Sequence, residues 1–185
     1  MRDWKYTTNT ENAVRHALMN LLSEKPLADI TVSELAREAH VSRSTFYEHF
    51  GNVGDVFDSI VDEFSEGLSP LMGQVACTNE MKPHTTPFCV RIREEGPFSA
   101  AVGEDRFLSS FIEKAENLDS HDLFAIMTQA GYSREQARAL CSFQMAGCFT
   151  AAQTSKASEG DWQDVKAVID RFILGGIAAC LAAKR

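Results

Sequence analysis

Arg43, Ser44, Thr45, Tyr47, Glu48 and His49 crowd into one short stretch, Val41-Ser42-Arg43-Ser44-Thr45-Phe46-Tyr47-Glu48-His49-Phe50. Guanidinium, hydroxyl and phenol groups gathered this way suit contacts to phosphate oxygens and to base edges. No nucleophile in the chain is paired at usable spacing with a base that a third group orients, so an enzyme is not the reading. On a helical wheel of ~100° per residue, Phe46 and Phe50 fall ~40° apart and define an inward side. Ser44, Thr45 and Glu48 then point most directly away, with Arg43 and Tyr47 flanking them. A carboxylate at Glu48 repels phosphates but can accept from a cytosine amino group.

Other residues invite weaker chemistry. Cys77, His84 and Cys89 share one stretch, but their spacing matches no standard zinc pattern, so neither a metal nor a cofactor is expected. Cys141 and Cys148 lie seven apart on one helical face and Cys180 near the C-terminus; without basic neighbours they read as small buried thiols rather than redox sensors. Five cysteines with no C-x-x-C pair point to reduced thiols and a cytoplasmic protein. Phe88, Phe107, Phe111, Phe124, Phe143, Met127 and Gln144 are candidates to line an apolar ligand cavity, with Arg106 or Gln129 as further polar anchors. Each Phe taken singly suits ordinary core packing better.

The elements that must position these residues are helical nearly everywhere. Val14, Ala17, Leu18, Leu21 and Leu22 recur at helical spacing after a capping box, Thr8-x-x-Glu11, and Pro26 closes that helix. A second box, Thr31-x-x-Glu34, opens a short helix carrying Leu35, Ala36 and Ala39, and His40-Val41-Ser42-Arg43 leads into a third ending near Phe50-Gly51. Two short helices joined by a tight turn form a candidate helix-turn-helix, the second projecting side chains into a major groove. Further helices are expected from Asp55 to about Gln74, Asp105–Ala115, Ser120–Ala130, Ser133 to about Ser155 and Asp161 to about Lys184, with a loop over 77–87. The fold class is therefore all-α.

From Ile30 to Phe50, Ile-Thr-Val-Ser-Glu-Leu-Ala-Arg-Glu-Ala-His-Val-Ser-Arg-Ser-Thr-Phe-Tyr-Glu-His-Phe resembles the signature of the TetR/AcrR family of bacterial transcriptional regulators. The resemblance implies a DNA-binding domain at 1–52 and a helical ligand-binding and dimerisation domain at 53–185. It places Thr31 at a phosphate-contacting helix start, and Arg43, Ser44, Thr45, Tyr47 and His49 on the DNA-facing side of the recognition helix. It further implies a homodimer, joined through the last two helices of each subunit, that reads a palindromic operator in double-stranded DNA as a repressor. It implies a small-molecule effector in the C-terminal domain that releases or re-poses it, with the fourth helix as the candidate lever. His40 stands where the family usually has Gly in a left-handed turn, and Val53 where many members carry Lys.

Charge shapes that expectation. The chain of 185 residues has 18 Lys+Arg against 26 Asp+Glu, a net of −8, and residues 1–50 carry −1 of it. Any nucleic-acid contact must come from local arrangement, with a modest salt dependence. The acidic balance also leaves open a regulator of the same fold that recruits a protein partner instead of DNA. The longest apolar run, Phe172–Ala183, would extend only ~18 Å as a helix, too short to cross a bilayer. Small residues at Ala146-Gly147-Cys148 and Gly175-Gly176 suit close packing against another helix.

Overall fold

The computed structural model describes residues 9–68, 88–93, 96, 98–114, 122–155 and 159–184, and every regular element among them is helical. In chain order these are α1 (Asn9–Leu22), a 3-10 turn (Leu27–Asp29), α2 (Val32–Glu38), α3 (Arg43–His49), α4 (Val53–Leu68) and α5 (Phe88–Arg93). They continue with α6 (Ser99–Val102), α7 (Asp105–Lys114), α8 (Asp122–Gln129), α9 (Arg134–Thr154) and α10 (Glu159–Ala182). Thr8, Gln74, Cys77, His84 and His121, and the side chain of Phe88, lie outside the described residues.

Packing groups Met1–Phe64 with Glu95–Ser110 in one compact unit, and Ser65–Glu94 with Phe111–Arg185 in another. Most of α4, up to Phe64, thus sides with the N-terminal helices, past the 52/53 boundary read from the sequence. The reason is its apolar stripe. Val56, Phe57, Ile60, Val61 and Phe64 are all buried, and Phe107 lays its ring edge-on against Phe57 (6.5 Å) and Phe64 (5.2 Å). Edge-to-face pairs add about 0.5–1.5 kcal/mol each beyond burial. Polar ties reinforce the same helices: Arg106 donates to both carboxylate oxygens of Asp58 (3.1 and 2.9 Å), and Arg15 pairs with Glu63 at 3.1 Å. Phe107 is therefore core of this unit. Arg106, considered as a ligand anchor, is engaged with α4.

In the second unit α9 packs between α5 and α8, burying Cys89, Ile92, Leu123, Phe124, Met127, Cys141, Met145 and Phe149. Arg93 donates to the carbonyls of Ala152 (3.3 Å) and Ser155 (3.1 Å) at the end of α9. A cation there complements the negative end of the helix dipole and satisfies carbonyls the helix leaves open. The same guanidinium lies 4.5 Å from the ring of the fully buried Trp162. Gly131, at φ 89, closes α8 with a bond from Tyr132 N to Met127 O (3.0 Å), the left-handed stop that glycine makes cheap. Ser133 and Gln136 form the full reciprocal box that opens α9.

Two helices, α5 and α6, have no counterpart in the sequence reading. Both are too short for an apolar period to register. The box read at Thr31-x-x-Glu34 is only half made. Thr31 Oγ1 accepts from Glu34 N (3.3 Å), but the Glu34 carboxylate turns to Lys25 at 2.6 Å. That hydrogen bond holds the Glu34 carboxyl below its ordinary range.

Candidate nucleic-acid interface

The turn between α2 and α3 is built on a strained residue. His40 has φ 56, and Val41 N reaches back to Ala36 O at 2.9 Å, closing α2 as a glycine-type stop. A left-handed conformation at a side chain with Cβ costs roughly 1–2 kcal/mol, which the packing of Leu35, Ala36 and Ala39 must outweigh. The chain then enters α3 at a set angle. Ser42 caps it: its Oγ accepts from Thr45 N at 3.0 Å and lies 3.2 Å from Ser44 Oγ and 2.9 Å from Thr45 Oγ1. One hydroxyl thus fixes the helix start and steadies two polar side chains of its first turn.

Burial orients the rest. Phe46 is fully buried and Phe50 nearly so, their rings 5.9 Å apart. Arg43, Ser44, Tyr47 and Glu48 are exposed, and Thr45 half-buried. Tyr47 is 49% exposed; its ring meets Phe46 edge-on at 5.5 Å, with Arg43 6.0 Å away over it. An arginine, two hydroxyls, a phenol and a carboxylate are thereby presented together on a short rigid helix. Thr31, exposed at the start of α2, is occupied by its own cap.

His49 has a different place from the outward set. It is half-buried, and its Nδ1 lies 3.4 Å from Glu11 Oε1, facing α1. Sequence reasoning also passed over Ser42, and over Asn52 and Asp55 at the start of α4. Asp55 N donates to Asn52 Oδ1 (3.1 Å), and Asp55 Oδ2 accepts from Gly51 N (2.9 Å), which ties α4 to the end of the recognition helix. The signal was present in both cases: Ser or Asn ahead of a helix, answered three residues on.

Residues 14–60 match the family model described as "Bacterial regulatory proteins, tetR family". The match covers about a quarter of the chain, its N-terminal helices, and shows a TetR-family helix-turn-helix there. Among curated relatives, EthR, an HTH-type transcriptional regulator of Mycobacterium tuberculosis, is 42% identical over 52 residues, 28% of this chain and 24% of EthR. YxbF, an uncharacterized HTH-type transcriptional regulator of Bacillus subtilis, is 30% identical over 60 residues, 32% of this chain and 16% of YxbF. The chain therefore matches less than a quarter of the length of either relative. The solved structure of AlkX, a TetR family repressor from Dietzia, aligns over 98% of this chain and 97% of its own with 13% identity and a TM-score of 0.42, too loose a likeness to transfer any residue's role.

The residues expected to line a ligand cavity separate in the structure. An apolar groove of about 200 Å³ runs along α8, α9 and α10, and Met127, Phe143 and Gln144 line it with Leu140, Phe172 and Ile177. Phe124 and Phe111 are buried without lining it, and Phe107 belongs to the N-terminal unit. The groove opens where Phe143 (69% exposed) and Phe172 (71%) stand in solvent. Cys141 is buried on α9, and desolvation pushes its thiol up to about 11. No helix among the described residues is long and apolar enough to cross a membrane, and none of their His, Cys, Asp or Glu side chains cluster as a metal site.

Proposed function

We propose that this chain is a DNA-binding transcriptional regulator, acting as a repressor. Two copies place their α3 helices in successive major grooves of a palindromic operator. The observation that carries the reading is the exposed polar face of α3, Arg43, Ser44, Tyr47 and Glu48, held outward by buried Phe46 and Phe50 within the segment that matches the family model. Arg43, Tyr47 and the start of α2 at Thr31 supply phosphate contacts that fix register, while base edges are read from the groove-facing side.

The dimer reading has its own support. Val165, Val168 and Phe172 recur at alternating spacings of three and four along α10, and all are exposed; Gly175 and Ala179 continue the row, also exposed. Apolar residues at that spacing make a helix-pairing seam, and small ones let backbones approach. Phe143 on α9 adds to the same exposed apolar surface. The N-terminal unit, which includes most of α4, and the C-terminal helices divide these tasks, and a small-molecule effector bound among the C-terminal helices acts through α4. If it lowers operator affinity by a given factor, the operator must lower effector affinity by that factor too.

Selection from a random duplex pool, followed by gel shift, tests the reading. The chain should enrich a palindrome, and Arg43→Ala and Tyr47→Ala should each weaken retention about 10-fold or more while leaving circular dichroism and the dimer unchanged. Failure to enrich any sequence would favour a protein partner instead. Normal retention by both variants would refute the assignment of α3.

A further inference from the structure

The most outward position on the recognition helix is an acid. At ~100° per residue, Glu48 lies opposite the side defined by Phe46 and Phe50, with Ser44 one turn before it on the same face. Glu48 is exposed, and among the described residues no hydrogen bond or ion pair engages its carboxylate. Placed against the duplex backbone, that charge would oppose binding outright. Placed at the floor of the groove, it meets base edges, and the four bases answer it differently. Guanine presents two acceptors, thymine an acceptor and a methyl, adenine a donor beside an acceptor, and cytosine an amino donor. Only cytosine offers a carboxylate a donor with no adjacent acceptor on the same base. Ser44, whose hydroxyl is steadied by Ser42 at 3.2 Å, both donates and accepts and so discriminates little.

We infer that Glu48 is a specificity-determining residue: it accepts from the N4 amino group of one cytosine in each operator half-site and rejects guanine at that position. The inference rests on the DNA-binding reading above and adds to it a base identity. It also gives the acid a purpose beyond repulsion. By repelling phosphate wherever no cytosine is in register, Glu48 lowers the affinity for random sequence, so discrimination is gained at both ends.

Parallel selections with the wild-type chain, Glu48→Gln and Glu48→Ala, followed by competition gel shifts, test it. The wild type should enrich C·G at one position per half-site, and replacing that pair should weaken binding on the order of tenfold. Glu48→Gln should shift the preference toward A·T, because an amide pairs with adenine N6 and N7, while Glu48→Ala should be indifferent there. Both variants should bind non-specific DNA more tightly than the wild type, an effect a merely structural residue would not produce. If the wild type enriches a palindrome and both variants enrich the same bases with the same non-specific affinity, the inference is overturned and the DNA-binding reading stands. If the wild type enriches nothing, both fall together.

Discussion

The N-terminal helices and the last two helices solve the same problem of apolar surface in opposite ways. Around α3 the large apolar side chains are spent inward: Phe46, Leu35, Leu18 and Val14 are fully buried, and among the described residues of these helices Tyr47 alone exposes a large hydrophobic side chain. Along α10 the reverse holds, with Val168 at 65% and Phe172 at 71% exposure on a helix whose buried side is held by Trp162 and Lys166. A helix pack that closes on itself needs no partner to fold. A helix that leaves a regular apolar row in water presents, on the dimer proposal, the surface a second copy covers. The first region closes its apolar surface within the chain, and the second leaves part of it exposed.

Core truncation should separate the regions most sharply. Phe46→Ala is expected to cost about 3–5 kcal/mol and to melt the N-terminal helices, seen as a lower denaturation midpoint. The matching change on α10 should behave otherwise. Phe172→Glu should leave the subunit's stability within about 0.5 kcal/mol, yet convert dimer to monomer by light scattering. With the second recognition helix lost, operator affinity should fall about 100-fold or more. A destabilised but still dimeric Phe172→Glu would mean that α10 belongs to the subunit core and that the two regions do not differ in this way.

Smaller changes sharpen the account of the turn. Ser42→Ala removes the cap of α3 and should cost about 1 kcal/mol, while His40→Gly relieves the left-handed strain and should stabilise by up to about 1 kcal/mol. Opposite signs from positions two apart, measured by urea denaturation, would confirm that the turn is held against its own preference. The faintest effect emerges only in alkali. Cys141 is neutral when buried and its thiol is raised to about 11, so the folded state holds its proton where the unfolded state releases it. Stability should decline between about pH 9 and pH 11, and Cys141→Ala should flatten that decline.

The parts of this fold that were legible are those governed by local chemistry. Ser133 with Gln136, the periods of α1 and α4, and the inward pair Phe46 and Phe50 can be read because caps and helical spacing are properties of a few consecutive residues. His49 was not legible. Its neighbours place it near the outward face, and only the arrival of Glu11 from α1 draws it aside. Phe107 and Phe143 were equally opaque. Both are aromatic residues at helical spacing, yet one is fully buried between Phe57 and Phe64 and the other stands in solvent.

The amino-acid order alone determined that this chain is helical, that a capped pair of short helices is joined by a turn at His40, and which side of α3 is polar, since each follows from propensity, capping and period over a few residues. Tertiary packing decided which acids and bases are consumed by partners, as Glu34 is by Lys25 and Arg106 by Asp58, and which are left exposed, as Glu48 is. It also decided that the apolar row of α10 lies uncovered. Those outcomes depend on contacts between residues far apart along the chain, and no local pattern encodes which of two equally apolar faces the rest of the molecule will reach.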